Sequence, residues 1–214
     1  SVPSTRPFLA SIKALLAKNG LVEGTDYKTV LIEGFDPKVH LDLPGIVAFP
    51  GWKSNEPGQL ERAGASFNLF DPTKEGIPGS FGLIYTNRAF LTAHPTAAQD
   101  FMRAAMKGLE VSLADPADAA LICVDAINAN GNKNFLSPEG ETFRWATEAA
   151  LIKQLTPVGT PVGMPDPVSL AAEVAAYDAA GAFGDDGAPP TEGRIDTTVL
   201  AGVYDTTGKV RWPG

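Results

Sequence analysis

Gly45-Ile46-Val47-Ala48-Phe49-Pro50-Gly51-Trp52-Lys53-Ser54-Asn55-Glu56-Pro57 is the stretch from which the rest of the chain is read. Ile46 to Phe49 is a short apolar run bounded by Gly45 and Pro50, the pattern of a strand buried on both faces. Gly51 permits a sharp turn, so Trp52, Asn55 and Glu56 are expected at the carboxyl end of that strand, where open α/β sheets collect their ligands. Asn55-Glu56-Pro57 also reads as a helix start: Asn55 as a cap, Glu56 at the positive end of the dipole, Pro57 where no donor is needed. Glu56 therefore reads two ways, as a ligand-facing carboxylate or as an ordinary helix-start acid.

Working outward, 27–33 is rich in β-branched residues and bounded by Gly24-Thr25-Asp26 and Gly34, which predicts a strand. Asp36-Pro37 opens a short helix that Pro44-Gly45 ends. Strand, helix and strand at this spacing predict a parallel pair with a right-handed crossover. Further short strands are expected at 67–70 and 80–86, and a helix at 59–63 with Gly64 as its stop. At the amino end, Phe8, Ile12, Leu15 and Leu16 recur at helical spacing ahead of Gly20. Ser4 or Thr5 would cap that helix, and a hydroxyl-rich helix start also suits an anionic group.

After Asn87 the composition turns toward alanine and helix. Thr96 to Gln99 fits a capping box, and Phe101, Ala105, Gly108, Leu109 and Leu113 form an apolar stripe. Asp115-Pro116, Ser137-Pro138 and Asp166-Pro167 each read as a cap followed by proline in the first turn, announcing helices at about 116–130, 138–155 and 167–179.

Composition removes several classes of function. The 214 residues carry a net charge of −8, the wrong sign for nucleic acid or an anionic membrane surface. No run reaches the roughly 18 apolar residues of a membrane span. Cys123, the single cysteine, sits in Leu121-Ile122-Cys123-Val124 and reads as a buried small hydrophobe. His40 and His94 are isolated, no metal-ligand or phosphate-loop spacing occurs, and no cofactor is called for. What remains is chemistry for binding: a flat ring at Trp52, a donor and acceptor at Asn55, a carboxylate at Glu56, and Tyr85 as a further candidate.

Trp52-Lys53-Ser54-Asn55-Glu56-Pro57 with Leu60 and Gly64, then Gly76-Ile77-Pro78 and Leu83-Ile84-Tyr85-Thr86-Asn87, resembles the thiamine-precursor, sulfonate and nitrate group of periplasmic solute-binding proteins, the receptors of ABC importers. Phe90-Leu91, His94-Pro95, Phe101, Ala104-Ala105, Lys107-Gly108 and Asp115-Pro116 continue the likeness, which covers about residues 1–130. The resemblance implies an α/β fold of the two-lobed (type II) kind with a mainly parallel sheet. It assigns residues 1–110 to a ligand-binding lobe and 111–214 to a helix-rich region packing on or returning toward the first lobe. The strand that in this family precedes a turn like Ser1 to Thr5 is missing, which implies either a shortened architecture or, the reading preferred here, a fragment holding one wall of the cleft.

The same resemblance places Ser4, Thr5, Trp52 and Glu56 on the solute; Asn55 joins them as donor and acceptor, and Tyr85 as a candidate whose other reading is a core residue. It implies binding without catalysis, a small heterocyclic or aromatic nutrient, and a permease partner. It further implies a monomer in the periplasm, lipid-anchored in the full-length protein, with its signal peptide removed. Glu56 favours a cationic or donor-rich heterocycle over an anion. The alternatives are an enzyme on the same fold, of the pyrimidine-precursor synthase or decarboxylase kind, and the ligand-sensing domain of a regulator.

Overall fold

A computed structural model describes residues 10–32, 36–80, 82–131 and 137–212. Their local order begins with proline-anchored helix caps. Asp36 Oδ1 accepts from Lys38 N–H at 2.9 Å, opening α2 (Pro37–Asp42). Asp115 accepts from Asp118 N–H at 3.0 Å before α6 (Pro116–Asn130). Ser137 Oγ accepts from Gly140 N–H at 3.1 Å before α7 (Pro138–Leu155). Asp166 accepts from Val168 N–H at 3.0 Å before α8 (Pro167–Ala179). In each the side-chain oxygen satisfies an N–H that has no partner inside the helix, and proline supplies the first-turn φ.

The remaining described helices are α1 (Ala10–Lys18), α3 (Glu56–Arg62), α4 (Arg88–Ala93), α5 (Pro95–Ala114) and α9 (Thr198–Ala201). Gly20 and Gly64 stop α1 and α3 with φ of 74° and 70°. In both, a residue just beyond donates back into the last turn: Leu21 N–H to Leu16 O, and Ala65 N–H to Leu60 O, each at 3.0 Å. α5 does not use the expected capping box. Pro95 is its first residue, His94 is its cap position, and the Gln99 amide reaches Val199 O instead.

The α/β expectation with a mainly parallel sheet is not met. Helix accounts for 54% of the described residues, and the β pairings among them are isolated bridges, Glu23 with Tyr27 and Tyr204 with Val210. The described parts of 27–33, 46–49, 67–70 and 80–86 run without a ladder, and none of their apolar residues is fully buried: Val47 is 98% exposed and Phe70 73%. Apolar runs and β-branched residues report a local preference for extended backbone. A sheet also needs partner strands from elsewhere in the chain, which local pattern does not encode.

Two compact units form, each from three segments. The first comprises the described residues of Ser1–Pro50, Phe67–Ile84 and Asp166–Ile195. Here α1 packs on α8 and on the 3-10 turn Pro72–Glu75, around Ala14, Leu15 and Ile77, with Tyr177 and Ala180 alongside. Partial burial, then the neighbouring Glu173 carboxylate, pushes the Tyr177 phenol up to about 12.

The second comprises the described residues of Gly51–Ser66, Tyr85–Pro165 and Asp196–Gly214. α6 lies along α7, α5 meets α6 and α9, and α3 meets α7. Its core is Met106, Leu200, Val203, Tyr204 and Val210. Trp145 Nε1–H donates to Ser112 O at 2.9 Å, tying α7 to α5. Cys123, expected inside, is exposed, because α6 turns Ala120 and Val124 inward and leaves the positions between them facing water.

Three carboxylates bind the N–H and hydroxyl groups of their own turns. Asp166 is held below the usual range first by the Ser169 hydroxyl, Asp196 first by that of Thr198, and Asp205 first by that of Thr207. A lowered folded value means that this stabilisation is complete above the ordinary aspartate range and is lost as pH falls through it. The melting temperature should therefore hold steady at neutral pH and drop below about pH 4. In thermal melts, D196N/D205N should show a shallower acid decline than the parent.

Candidate functional site

α3 and the turn before it carry three of the six residues singled out from the sequence. Asn55 N–H donates to Trp52 O at 2.8 Å, closing a turn over residues 52–55. The Glu56 carboxylate bends back over this turn: Oε2 accepts from Trp52 N–H at 2.5 Å, and Oε1 from the Asn55 amide at 3.1 Å. Gly51 leaves room for it, since a Cβ there would lie 3.1–3.3 Å from Glu56 Cβ, Cγ and Oε2. Asn55 stands at the cap position of α3 but its side chain does not cap. Its Oδ1 accepts from Gln59 at 2.9 Å and from Arg144 Nη2 at 3.0 Å. The sequence placed Glu56 in a helix start and its amide neighbour as the cap; the structure makes the glutamate the brace of the turn.

The turn is seated from below by α7. Gly58 is buried against Phe143, and a Cβ on residue 58 would fall 2.4 Å from the Phe143 ring. Leu60, 3% exposed, faces inward with it. Arg62 places its guanidinium 5.8 Å from the centroid of the same ring, within cation–π range. Arg144 follows Phe143 in α7, so docking the ring on Gly58 brings the next residue's guanidinium to Asn55. Arg144 also pairs with Glu141 through an Nη1–Oε2 contact of 3.4 Å.

The result is an exposed indole, 52% open, beside a braced carboxylate, an amide and a guanidinium. This can stack a flat ring and hydrogen-bond its substituents. Tyr85, 92% exposed, stands in the extended segment ahead of Asn87, whose side chain caps α4, and is not part of the hydrogen-bonded turn. Ser4 and Thr5 lie outside the described residues. Arg144 was not singled out from the sequence. It is 89 positions from Asn55, and only its i,i+3 spacing from Glu141 is visible locally.

The two histidines sit against rings: His40 edge-on to Phe49 at 5.2 Å, and His94 beside Phe90 at 5.1 Å. In the first unit an open pocket of about 290 Å³ is lined by Lys13, Leu21, Glu23, Tyr27 and Ala180 among others. Its two charges face each other across 3.2 Å, and Glu23 is further held ionised, chiefly by the Thr29 hydroxyl.

A family model described as NMT1/THI5 like matches residues 5–119, just over half of the chain. No curated protein and no solved structure matches it. The matched segment includes Trp52, Asn55 and Glu56, and stops short of Arg144.

Gly58→Ala should destabilise the protein by about 1–3 kcal/mol, the usual range for overpacking a filled site. Paired with Phe143→Leu, which removes the ring from that space, the alanine should cost clearly less. A double-mutant cycle from denaturant unfolding gives the coupling.

Proposed function

Because the chain belongs to the NMT1/THI5-like family, a family of periplasmic solute-binding proteins, we propose that it is the receptor component of an ABC import system. It takes up a small aromatic or heterocyclic solute on the Trp52 turn, without turnover, and presents it to a permease. The observation that carries this reading is the turn itself. An indole that is 52% exposed stands on a backbone locked by Glu56 and Asn55, so a stacking surface is held in place before any solute arrives. Pre-ordering of this kind favours binding, because little backbone freedom of the turn remains to be lost.

Asn55, Glu56 and Trp52 are the core of the proposed contact set, with Tyr85 and the hydroxyls of Ser4 and Thr5 as its outer members. The proposed compartment is periplasmic, as is typical of the family, with a lipid anchor in the full-length protein. Among the described residues no helix is long and apolar enough to cross a membrane.

Three tryptophans, Trp52, Trp145 and Trp212, report together in fluorescence, so the test compares the parent with Trp52→Phe. Titration with pyrimidines, flavins, aromatic amines and aromatic acids should give a saturable change for at least one class, and Trp52→Phe should lose most of it. A saturating solute should also raise the melting temperature, by mass action worth about 2.7 kcal/mol at 100 times Kd. A flat response across the panel with an unchanged melting temperature overturns the receptor reading. Release of CO2 or another product from a bound compound would replace it with an enzymatic one.

A further inference from the structure

We propose that Arg144 sets the specificity of the Trp52 turn, and that the solute it selects is a flat ring bearing a carboxylate instead of an amine. The proposal rests on the receptor reading above and names the chemistry of the same site. It follows from counting which polar valences the turn has already used. Both Glu56 oxygens are engaged, Oε2 by Trp52 N–H at 2.5 Å and Oε1 by the Asn55 amide at 3.1 Å. Asn55 Oδ1 accepts twice, from Gln59 and from Arg144. The acceptors that an amino or ring-NH solute would need are thus holding the turn together. A solute donor would have to share a Glu56 oxygen with the Trp52 N–H or the Asn55 amide, using a second lone pair on an acceptor already engaged by the turn.

The donors are in the opposite state. A guanidinium carries five N–H groups in a planar fork. Arg144 spends one on Asn55 Oδ1 at 3.0 Å and meets Glu141 at 3.4 Å, longer than the 2.7–2.9 Å of a tight charge-assisted bond. Its side chain is 47% exposed, so the remaining N–H groups reach solvent. A solute carboxylate matches that fork in geometry and charge, and displaces the loosely held Glu141 from it. The adjacent Asn55 amide keeps one further N–H of its own. Arg62, over Phe143 on the same α3–α7 seam, adds a second positive charge that draws an anion toward the site. Trp52 covers the ring of the solute. Arg144 lies beyond the segment that matches the family model, so this selectivity belongs to the chain's own carboxyl-terminal half.

The test uses the full chain with four probes: benzoate, nicotinate, benzylamine and 4-aminopyrimidine. Binding is followed by calorimetry and by Trp52-dependent fluorescence. One or both carboxylates should bind, more weakly as salt rises. Arg144→Gln should weaken them about tenfold or more, the scale of a lost hydrogen bond to a charged group. Arg144→Lys should fall between, keeping the charge and losing the fork. Glu141→Gln should tighten carboxylate binding by a few fold, because it removes the competing negative charge. If Arg144→Gln fails to fold, the opposite shifts expected of Arg144→Lys and Glu141→Gln still decide the matter. Trp52-dependent binding of an amine with none of either carboxylate overturns the solute class and leaves the receptor reading standing. Carboxylate binding unchanged in all three variants overturns the role of Arg144. If none of the four probes binds, this proposal falls, and the receptor reading is decided separately by the wider panel and the melting temperature.

Discussion

The contact between Phe143 and the bare Cα of Gly58 sets the rest of the proposed site. The ring occupies the space that any side chain at residue 58 would need, so the α7 ring rests directly on the α3 backbone. That approach has two effects. It buries the inner face of the short helix, with Leu60 beneath it, and it fixes which α7 residue stands next to Asn55. A wider spacing would leave the Arg144 guanidinium short of the amide, and a helix of seven residues has little stability of its own to hold its place. Packing, not hydrogen bonding, is the first cause here; the polar contacts report where packing has put the backbone.

Glu56 shows why residue type alone does not settle role. A carboxylate next to an exposed indole invites a reading as ligand acceptor. In its place in the turn it does the work more often done by a cap, drawing the Trp52 N–H and the Asn55 amide to itself. Asn55, the residue with the stronger capping preference, is released to the long-range pairing with Arg144. The two residues have in effect exchanged duties. Gly51 makes the exchange feasible by leaving space for the glutamate side chain to fold back.

The helices of the carboxyl-terminal half were legible almost to the residue, because their starts are written in two or three adjacent positions. Asp115-Pro116, Ser137-Pro138 and Asp166-Pro167 each name the cap and the first helical residue, and the structure uses all three. Gly20 and Gly64 were legible as stops for the same local reason. The sheet was not: Ile46 to Phe49 and Leu83 to Tyr85 carry strand composition, yet the described residues supply no partner ladder. The missed residue of the site, Arg144, failed for a related reason. Its meaning comes from a neighbour 89 positions away, and nothing in Phe143-Arg144-Trp145 announces that neighbour. Cys123 was misplaced by reading an apolar run as inward-facing when the helix turned Leu121, Ile122 and Cys123 out and only Val124 in. Family membership, by contrast, was legible from the order of motifs between Trp52 and Ala119.

The two units are interleaved along the chain, and this bears on how the protein is made. Ala14, Leu15 and Ile77 are synthesised early, but Tyr177 and Ala180, which pack against them from the end of α8, follow about 100 residues after Ile77 and about 160 after Ala14 and Leu15. At a ribosomal rate of about 5–20 residues per second, Ile77 waits roughly 5–20 seconds for its cover, and Ala14 and Leu15 roughly 8–33 seconds. During that interval the nascent polypeptide is a natural client for holding chaperones, and a chain kept loose in that way is also in the state that translocation machinery accepts.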